Sequence, residues 1–472
     1  MEFDRSHRFQ NFGRNVSFDP RYYFEPRSEQ EVLDLLQEHK EPSQERKQRR
    51  FRAIGALHSW SKAPVGDDVV LCLRHLTDVR LVTTGDQTFA EIGAGCSIHS
   101  VLEQLHEHGL TLPAIGMTGE QSIAGAISTA THGSGRSSIS HYVTAVRVAS
   151  YNQNGVPTIR ELTEGPALRA ARCALGRMGI VLSVRVQCVP SYLVEETSKM
   201  LDTIDDVLSE ARDYPLTQFY LMPWSWKWMV ELRRQVEGPK SKPWARLRYR
   251  MRRSLSMFLL NFFSSLVARC AKLKPYTARV YRTLTRKYSS SFVIDHADRV
   301  LMMKHRQRYV EAELFVPVSE LRAAAKLVEE VLRYVGGDAQ PLSANVRDLI
   351  GTGGIDELNR LRGTHVHHYP ITFRRVHQDS TLISMSSDAE MFAISLVTLD
   401  KNLDSFETIV SLLASTMTRA FQARPHWGKV LTLGANELNG LIPGLREFRT
   451  ECDHMDPDGA FASDFTERVL GF

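Results

Sequence analysis

The sequence contains little cysteine, no long apolar run and only a small excess of positive charge. Its six cysteines include no CxxC pair, which argues against a disulfide scaffold or a zinc-binding domain. The most apolar stretch, 255–268, is too short for a bilayer span. A net charge of +5 is too small to indicate a nucleic-acid partner. Because the first residues also lack the apolar core of a signal peptide, we expect a cytoplasmic protein.

A chain of 472 residues exceeds what one hydrophobic core usually organises, so two domains are expected. Short stretches rich in β-branched residues alternate with amphipathic segments, which predicts an α+β fold. A helix is expected to start at Ser28 and run through His39, and another to start at Ser97 and end at Gly109. The other predicted elements are strands at 51–54, 69–73, 79–83, 89–92, 143–150, 180–189, 312–316 and 392–399 and helices at 319–335 and 404–421.

Two glycine-containing segments are candidates for binding a cofactor. Residues 52–61 read RAIGALHSWS, where a strand runs into a turn whose backbone N–H groups either bind a pyrophosphate or form a tight surface turn. Residues 112–135 contain five glycines and many hydroxyl side chains but almost no charge. This composition suits either a structural loop or a backbone that approaches a flat ligand closely. The chain has neither a GxGxxG nor a Walker motif.

A third segment, His426-Trp-Gly-Lys429, places two basic side chains beside an aromatic ring. It forms either a cationic site that faces an anion or a surface turn with an extended lysine.

These segments, in this order, resemble the FAD-binding oxidoreductases of the vanillyl-alcohol oxidase superfamily, and most closely the aldonolactone and alditol oxidases. LGRMGIV at 175–181, PGLREF at 443–448 and DPDG at 456–459 extend the resemblance over most of the chain. It implies a two-subdomain FAD-binding domain of the vanillyl-alcohol oxidase/p-cresol methylhydroxylase type at 1–192. An α+β substrate-cap domain at 193–435 would follow, with an insert at 238–294, and a C-terminal tail at 436–472 would return to the FAD domain.

The resemblance also implies which residues contact FAD. His58 stands where the family commonly bonds its flavin covalently, although Ala56 and Leu57 precede it where lactone oxidases usually carry glycine. Gly116 is the small residue that in the family's oxidases opens a path for O₂. The implied FAD-binding set is Gly55, Ala56, Leu57, His58, Ser59, Gly116, Ser122, Gly125, Ser128, Thr131, His132, Gly133, Ile180 and Lys429.

For catalysis, the resemblance places Lys429 and Arg374 beside the flavin, where two cations stabilise the negative charge that follows hydride transfer. Ser122 resembles a serine that faces the substrate. Thr372 stands where the family has a glutamate, and a threonine is no base at neutral pH. Arg375 is adjacent to Arg374, so the alignment itself is open by one residue. If the alignment holds, either the substrate differs or a histidine takes the base role, the candidates being His367, His368, His377 and His426.

The implied activity is oxidation of a CH–OH group in a sugar lactone, a polyol or a related sugar alcohol, with O₂ as the electron acceptor and H₂O₂ as a product. A dehydrogenase that passes electrons to a quinone or a protein is one alternative, and a degenerate membrane-associated binding protein is another. His365, His367 and His368 have no Cys, Asp or Glu at ligand spacing, so no metal is expected.

The insert at 238–294 carries 14 Lys or Arg and no Asp or Glu. Its arginines at 246, 248, 250, 252 and 253 precede apolar residues at 255, 258, 259, 262 and 266, which predicts an amphipathic helix. Such a helix either lies on an anionic membrane, which would suit a lipid-linked substrate, or packs on the cap with its arginines in solvent.

Overall fold

The computed structural model describes residues 8–40, 49–269, 291–303, 307–363, 365–399 and 403–472. The N-terminal strands are β1 (Phe9–Gln10), β2 (Ser17–Phe18), β3 (Tyr22–Phe24), β4 (Phe51–Ile54), β5 (Val69–Cys72), β6 (Val79–Thr84), β7 (Gln87–Gly93), β8 (Leu110–Thr111), β9 (Val143–Tyr151), β10 (Pro157–Leu162), β11 (Ile180–Gln187) and β12 (Val189–Pro190). The helices among them are α1 (Glu29–Glu38), α2 (Ile98–Glu107), α3 (Ile123–Ser128) and α4 (Gly165–Ala171).

The strands after residue 192 are β13 (Leu193–Leu201), β14 (Gln218–Met222), β15 (Lys227–Val236), β16 (Ser291–His296), β17 (Val310–Pro317), β18 (Ile371–Val376), β19 (Met391–Thr398) and β20 (Arg424–Pro425). The helices are α5 (Ile204–Glu210), α6 (Pro243–Arg269), α7 (Ala297–Leu301), α8 (Leu321–Val335), α9 (Ala344–Leu361), α10 (Leu403–Phe421), α11 (Ala435–Leu438), α12 (Leu445–Met455) and α13 (Asp464–Leu470).

The N-terminal part contains two main sheets. One is parallel, in the order β3-β5-β4, and the other is antiparallel, in the order β10-β9-β11-β7-β6. The predicted starts of both N-terminal helices are confirmed, since the Ser28 hydroxyl accepts from the Glu31 N–H and the Ser97 hydroxyl from the Ser100 N–H. All predicted strands and helices are found, with ends that differ by a few residues. The chain thus has an α+β fold, as predicted, with the N-terminal sheets followed by a second part.

The second part is built on one antiparallel sheet in the order β16-β13-β15-β14-β18-β19-β17-β20. Its central strands β14, β17 and β19 are buried along almost their whole length. Helices α8 and α10 contact β17, and α8 buries the apolar side that its sequence period predicts. Alternate side chains of these strands therefore lie on two faces that are both shielded from solvent.

The predicted helix of the insert is α6, and it packs beside β16. Residues 270–290, which carry six of the insert's 14 basic residues, lie outside the described part of the chain. Among the described helices, none combines the length and apolar character that a bilayer span requires.

The C-terminal segment contacts the N-terminal sheets. Phe51 donates its N–H to the Ala460 carbonyl at 2.8 Å, and the buried guanidinium of Arg52 donates to the carbonyls of Leu175 and Phe461. Arg177, from the LGRMGIV segment, forms a buried ion pair with Asp456. The residues that carry the C-terminal resemblance therefore lie against the first glycine segment.

Candidate active site

A cavity of about 360 Å³ lies between the two glycine segments and one face of the large sheet, within the size range of small-molecule sites. The glycine segments meet there, because a Cβ on Gly55 would lie 2.0 Å from the Ser122 hydroxyl oxygen. The backbone N–H of Trp60 donates to the Gly428 carbonyl at 2.8 Å, which brings the third segment to the same place. The three segments singled out in the sequence therefore form one site.

Most of the predicted site residues line this cavity. They are Gly55, Ala56, Leu57, His58, Ser59, Ser122, Gly125, Ser128, Thr131, His132, Thr372, Arg374, His426 and Lys429. The LGRMGIV segment reaches the wall through Leu175, Gly176, Gly179 and Val181.

Three predicted cofactor residues are not on the wall. Ile180 is only 1% exposed inside β11. Gly133 packs so closely on the backbone that a Cβ would lie 2.4 Å from the Ile115 carbonyl oxygen. Gly116 lies behind Thr131, whose methyl carbon would be 3.1 Å from a Cβ at Gly116. Close packing within the loop therefore explains why glycine stands at 116 and 133 better than direct contact with a ligand does.

Ser122 and Leu57 have local structural roles as well. Ser122 is the N-cap of α3, and its hydroxyl accepts from the Gly125 N–H. Leu57 adopts a left-handed conformation with φ of 53°, which strains a residue that has a Cβ. A glycine before the histidine would adopt this conformation without strain, so Leu57 is the costlier choice at this turn.

One face of the large sheet forms the opposite wall. The strand register places residues of seven strands on that wall: Glu196, Ser198, Tyr220, Met222, Met229, Glu231, Ser291, Glu311, Glu313, Thr372, Arg374 and Val397. In β18, Arg374 is buried and faces the site, whereas Arg375 is half exposed and pairs with Glu390. Alternation along the strand thus selects Arg374 over its neighbour as the site arginine.

Glu313 is a buried carboxylate at the centre of the site that the sequence reasoning missed. It pairs with Arg374 and accepts a hydrogen bond from the Ser395 hydroxyl at 2.7 Å. Its second oxygen lies 3.5 Å from His132 Nε2. Burial raises the pKa of Glu313, but the positive charges of Arg374, His132 and Lys429 outweigh it and hold the pKa well below its ordinary value.

Glu311, two residues earlier on the same strand face, is the second missed carboxylate. Its Oε2 accepts from Lys429 Nζ at 2.5 Å, and the lysine also lies 4.3 Å from the centre of the Trp60 ring. Both carboxylates could have been found in the sequence, since Glu313 lies within the otherwise apolar strand predicted at 312–316 and Glu311 directly precedes that strand. Charged side chains are rarely buried unless they are paired or functional.

The histidines proposed as substitutes for the missing glutamate are poorly placed as bases. His426 accepts the Gly428 N–H at Nδ1, so its neutral ring carries the proton on Nε2, and burial lowers its pKa well below the ordinary value. His377 is partly exposed and pairs with Glu390. His368 donates from Nδ1 to the Val366 carbonyl and accepts the Leu399 N–H at Nε2. His367, like His368, is not among the residues that line the cavity.

One group of described side chains is close enough to hold a metal ion. Ligand atoms of His132, Glu313 and His426 all lie within 4.8 Å of one another. Glu313 is already paired with Arg374, and Lys429 is close enough to lower its pKa. Two fixed positive charges disfavour a divalent cation there. His365, His367 and His368, the histidines considered from the sequence, are not part of this group.

His58 lies on the cavity wall with its ring stacked on Phe12 at 5.0 Å. Burial lowers the pKa of His58 below its ordinary value, so the imidazole is neutral and nucleophilic at neutral pH.

The residues of this cavity fit an FAD molecule. Two walls consist of backbone and small side chains, and the position of Gly55 leaves no room for a Cβ against Ser122. Lys429 and Arg374 supply cations on the side of the sheet. The fold and the site are those expected of an FAD-dependent oxidoreductase.

Comparisons with known proteins identify the family. Residues 20–155 match a family model described as an FAD binding domain, and residues 184–469 match one described as D-arabinono-1,4-lactone oxidase. The chain belongs to the D-arabinono-1,4-lactone oxidase family. It is an FAD-dependent oxidoreductase of the vanillyl-alcohol oxidase superfamily that acts on CH–OH donors.

The chain is 41% identical to a long-chain alcohol oxidase from an uncultured marine euryarchaeote, over 98% of this chain and 96% of that protein. It is 25% identical to an L-gulono-1,4-lactone dehydrogenase from Mycobacterium tuberculosis, over 94% and 95% of the two chains. In fold it is similar to a variant of the cholesterol oxidase from Brevibacterium sterolicum, with a TM-score of 0.75, 16% identity and coverage of 98% and 96%.

Proposed function

We propose that the protein is an oxidase of long aliphatic primary alcohols, rather than of the sugar lactones or polyols expected from the sequence. The products would be the aldehyde and, with O₂ as the electron acceptor, H₂O₂. When bound, FAD supplies the acceptor for the hydride that leaves the alcohol carbon. The protein's own residues would bind the chain, orient the hydroxyl group and remove its proton.

The character of the substrate wall carries this proposal. Beyond Thr372, the wall is formed largely by apolar side chains, among them Met222, Met229, Met257, Leu260 and Phe263. A sugar needs several polar partners, because each buried hydroxyl group without one costs free energy. An alkyl chain gains free energy from the same surface.

The two carboxylates on this part of the wall, Glu196 and Glu231, are already paired with buried neighbours. Arg233 donates to Glu196 at 2.7 Å and to Glu231 at 2.6 Å. Tyr249 donates its hydroxyl hydrogen to Glu196 at 2.7 Å, and Gln218 donates to Glu231. Since these groups satisfy each other, they offer little to a sugar. The 41% identity to a long-chain alcohol oxidase supports the same substrate class.

We assign the base role to Glu311. Its carboxylate lines the cavity and its paired group is the flexible ammonium of Lys429, so an incoming hydroxyl group can replace or share that contact. Glu313 instead holds Arg374 in place through their ion pair, and Glu313 also accepts a hydrogen bond from the Ser395 hydroxyl. Glu311 can therefore act as the base although Thr372 replaces the glutamate found at that position in the family.

The substrate proposal is tested with a panel of 1-hexanol, 1-octanol, 1-dodecanol, L-gulono-1,4-lactone and xylitol. We expect kcat/KM to rise roughly four-fold per added methylene until the cavity is filled, since each buried CH₂ contributes about 0.8 kcal/mol. Peroxide formation and, separately, anaerobic reduction of a dye acceptor are measured for each compound.

Oxidation of the lactone or the polyol with no turnover of any alcohol would overturn the substrate proposal. Dye reduction without peroxide would instead show a dehydrogenase. The two assays therefore separate the choice of substrate from the choice of electron acceptor.

We also propose that His58 carries the flavin covalently. The neutral ring on the cavity wall supports this role. Acid precipitation of the holoprotein is expected to leave the yellow colour in the pellet. The His58→Ala variant should release its flavin to the supernatant. As a matched control, the His75→Ala variant, altered at a partly exposed histidine that pairs with Glu25, should retain its colour in the pellet. Release of the flavin from the unaltered protein would contradict the covalent bond.

A further inference from the structure

Helix α6 exposes an apolar stripe to solvent. Six large side chains along it, at spacings of three or four residues, are between 47% and 64% exposed: Trp244, Leu247, Met251, Leu255, Phe258 and Phe262. At 100° per residue they fall within a sector of about 80°, and the stripe is about 27 Å long. A continuous apolar surface of this kind marks an interaction site rather than scattered exposed residues.

The opposite side of the same helix forms part of the active-site cavity. Met257, Leu260 and Phe263 line the cavity and lie more than 100° around the helix from the centre of the stripe. On this side Arg246 pairs with Asp295, and Arg253 donates to Tyr249 and to the Val300 carbonyl. The helix therefore presents an apolar stripe to solvent while two of its arginines are paired on the inner side, unlike an ordinary surface helix.

Exposed arginines accompany the stripe. Arg248 lies 5.0 Å from the centre of the Trp244 ring, and both Arg248 and Arg250 are exposed. No acidic residue occurs between 238 and 294. An anionic phospholipid surface complements both properties, because it accepts apolar side chains among its acyl chains and attracts basic residues to its headgroups.

We propose that the outer face of α6 docks on an anionic phospholipid bilayer, with the helix lying along the surface. The substrate aspect of this inference rests on the proposed function: an alcohol dissolved in the bilayer would meet the helix that separates the membrane from the cavity. A second copy of the chain suits the face less well, since pairing two such helices would bring two sets of arginines together.

Co-sedimentation of the purified holoprotein with vesicles tests the docking without any substrate. We expect binding to vesicles of 70% phosphatidylcholine and 30% phosphatidylglycerol and weaker binding to phosphatidylcholine alone. In the double variant Met251→Gln/Phe258→Gln, the partition coefficient of the protein onto the anionic vesicles should fall at least about ten-fold. Glutamine preserves helix propensity.

A matched control removes two exposed apolar side chains elsewhere. The variant Val156→Gln/Val318→Gln, altered at residues that are 50% and 37% exposed outside α6, should bind vesicles as the unaltered protein does. Removing charge, with Arg248→Gln/Arg250→Gln, should cost roughly five-fold per arginine on anionic vesicles and little on neutral ones. Added salt should reduce the difference between the two vesicle types.

Absence of binding to either vesicle would overturn the docking proposal, as would equal losses in the stripe and control variants. A dimer in analytical ultracentrifugation that the stripe variant converts to a monomer, without vesicle binding, would assign the face to a second copy. Turnover of soluble 1-hexanol is measured separately. Vesicle binding by a protein that oxidises only lactones would leave the docking standing and the proposed substrate refuted.

Discussion

The Glu311→Gln variant is expected to keep its flavin and its fold but to lose about 10²- to 10⁴-fold in kcat, the usual contribution of general-base catalysis. An amide has nearly the shape of a carboxylate but cannot accept the hydroxyl proton of the substrate. The loss should appear in the rate at which substrate bleaches the yellow colour under anaerobic conditions, measured by stopped flow. Binding of the alkyl chain should change little, because the apolar wall is untouched.

The split between kcat and KM separates a base from a merely structural carboxylate. Because a base acts in the transition state, Glu311→Gln should lower kcat and kcat/KM by the same factor and leave KM almost unchanged. The Lys429→Met variant should also retain FAD and be reduced more slowly, since it removes the cation beside the base.

Glu390→Gln is the matched control for the glutamine substitution, because Glu390 pairs with Arg375 outside the cavity. It should keep the unaltered kcat within a few-fold. A normal reduction rate in Glu311→Gln would remove Glu311 from the mechanism.

Much of the fold and of the cofactor side of the site could be predicted from sequence, because both depend on local signals. Helix starts follow from single capping residues such as Ser28 and Ser97, and the structure has them there. The glycine segments are recognisable because a backbone in close contact leaves no room for side chains, as Gly55 demonstrates. Such features need only a few consecutive residues.

The carboxylates of the substrate side escaped prediction because they depend on strand order. The sequence offered histidines as substitutes for the glutamate missing at Thr372, three of them within five residues of it and His426 from the third segment. The sheet instead brings Glu313 beside it across β19, since Thr372 and Glu313 both pair with Ser395. A local pattern can mark Glu313 as a charge in an apolar strand, but it does not show that Glu313 lies near Thr372, about 60 residues away in sequence.

Helix α6 shows a second feature that the sequence did not predict, namely which of its sides faces solvent. Its amphipathic, cationic sequence was predicted correctly, but charge alone suggested that the arginines face solvent or lipid. The structure turns Arg246 and Arg253 inward because Asp295 and the carboxylate network around Glu196 lie beneath the helix. The apolar stripe is left outside, and only the tertiary position of those carboxylates decides this.

The Arg374→Met variant is expected to lose about 3–5 kcal/mol of stability at pH 7, because it leaves the Glu313 carboxylate buried without its guanidinium partner. Arg375→Met is the matched control. The neighbouring arginine pairs with Glu390 at the surface, where an ion pair contributes about 0–1 kcal/mol. The free energy of unfolding is measured in urea for both variants.

The pH dependence of this loss identifies its cause. In the unaltered protein the pKa of Glu313 lies below its ordinary value, so the pair stabilises the fold above the unfolded pKa and loses that contribution as pH falls. In Arg374→Met, burial without its main opposing charge should raise the pKa, so protonation relieves the buried charge. The stability difference between the two proteins should therefore shrink from pH 7 towards pH 5. Adding Glu313→Gln to Arg374→Met should recover much of the lost stability at pH 7. A double variant as unstable as Arg374→Met alone would mean that lost packing, and not the unpaired charge, causes the loss of stability.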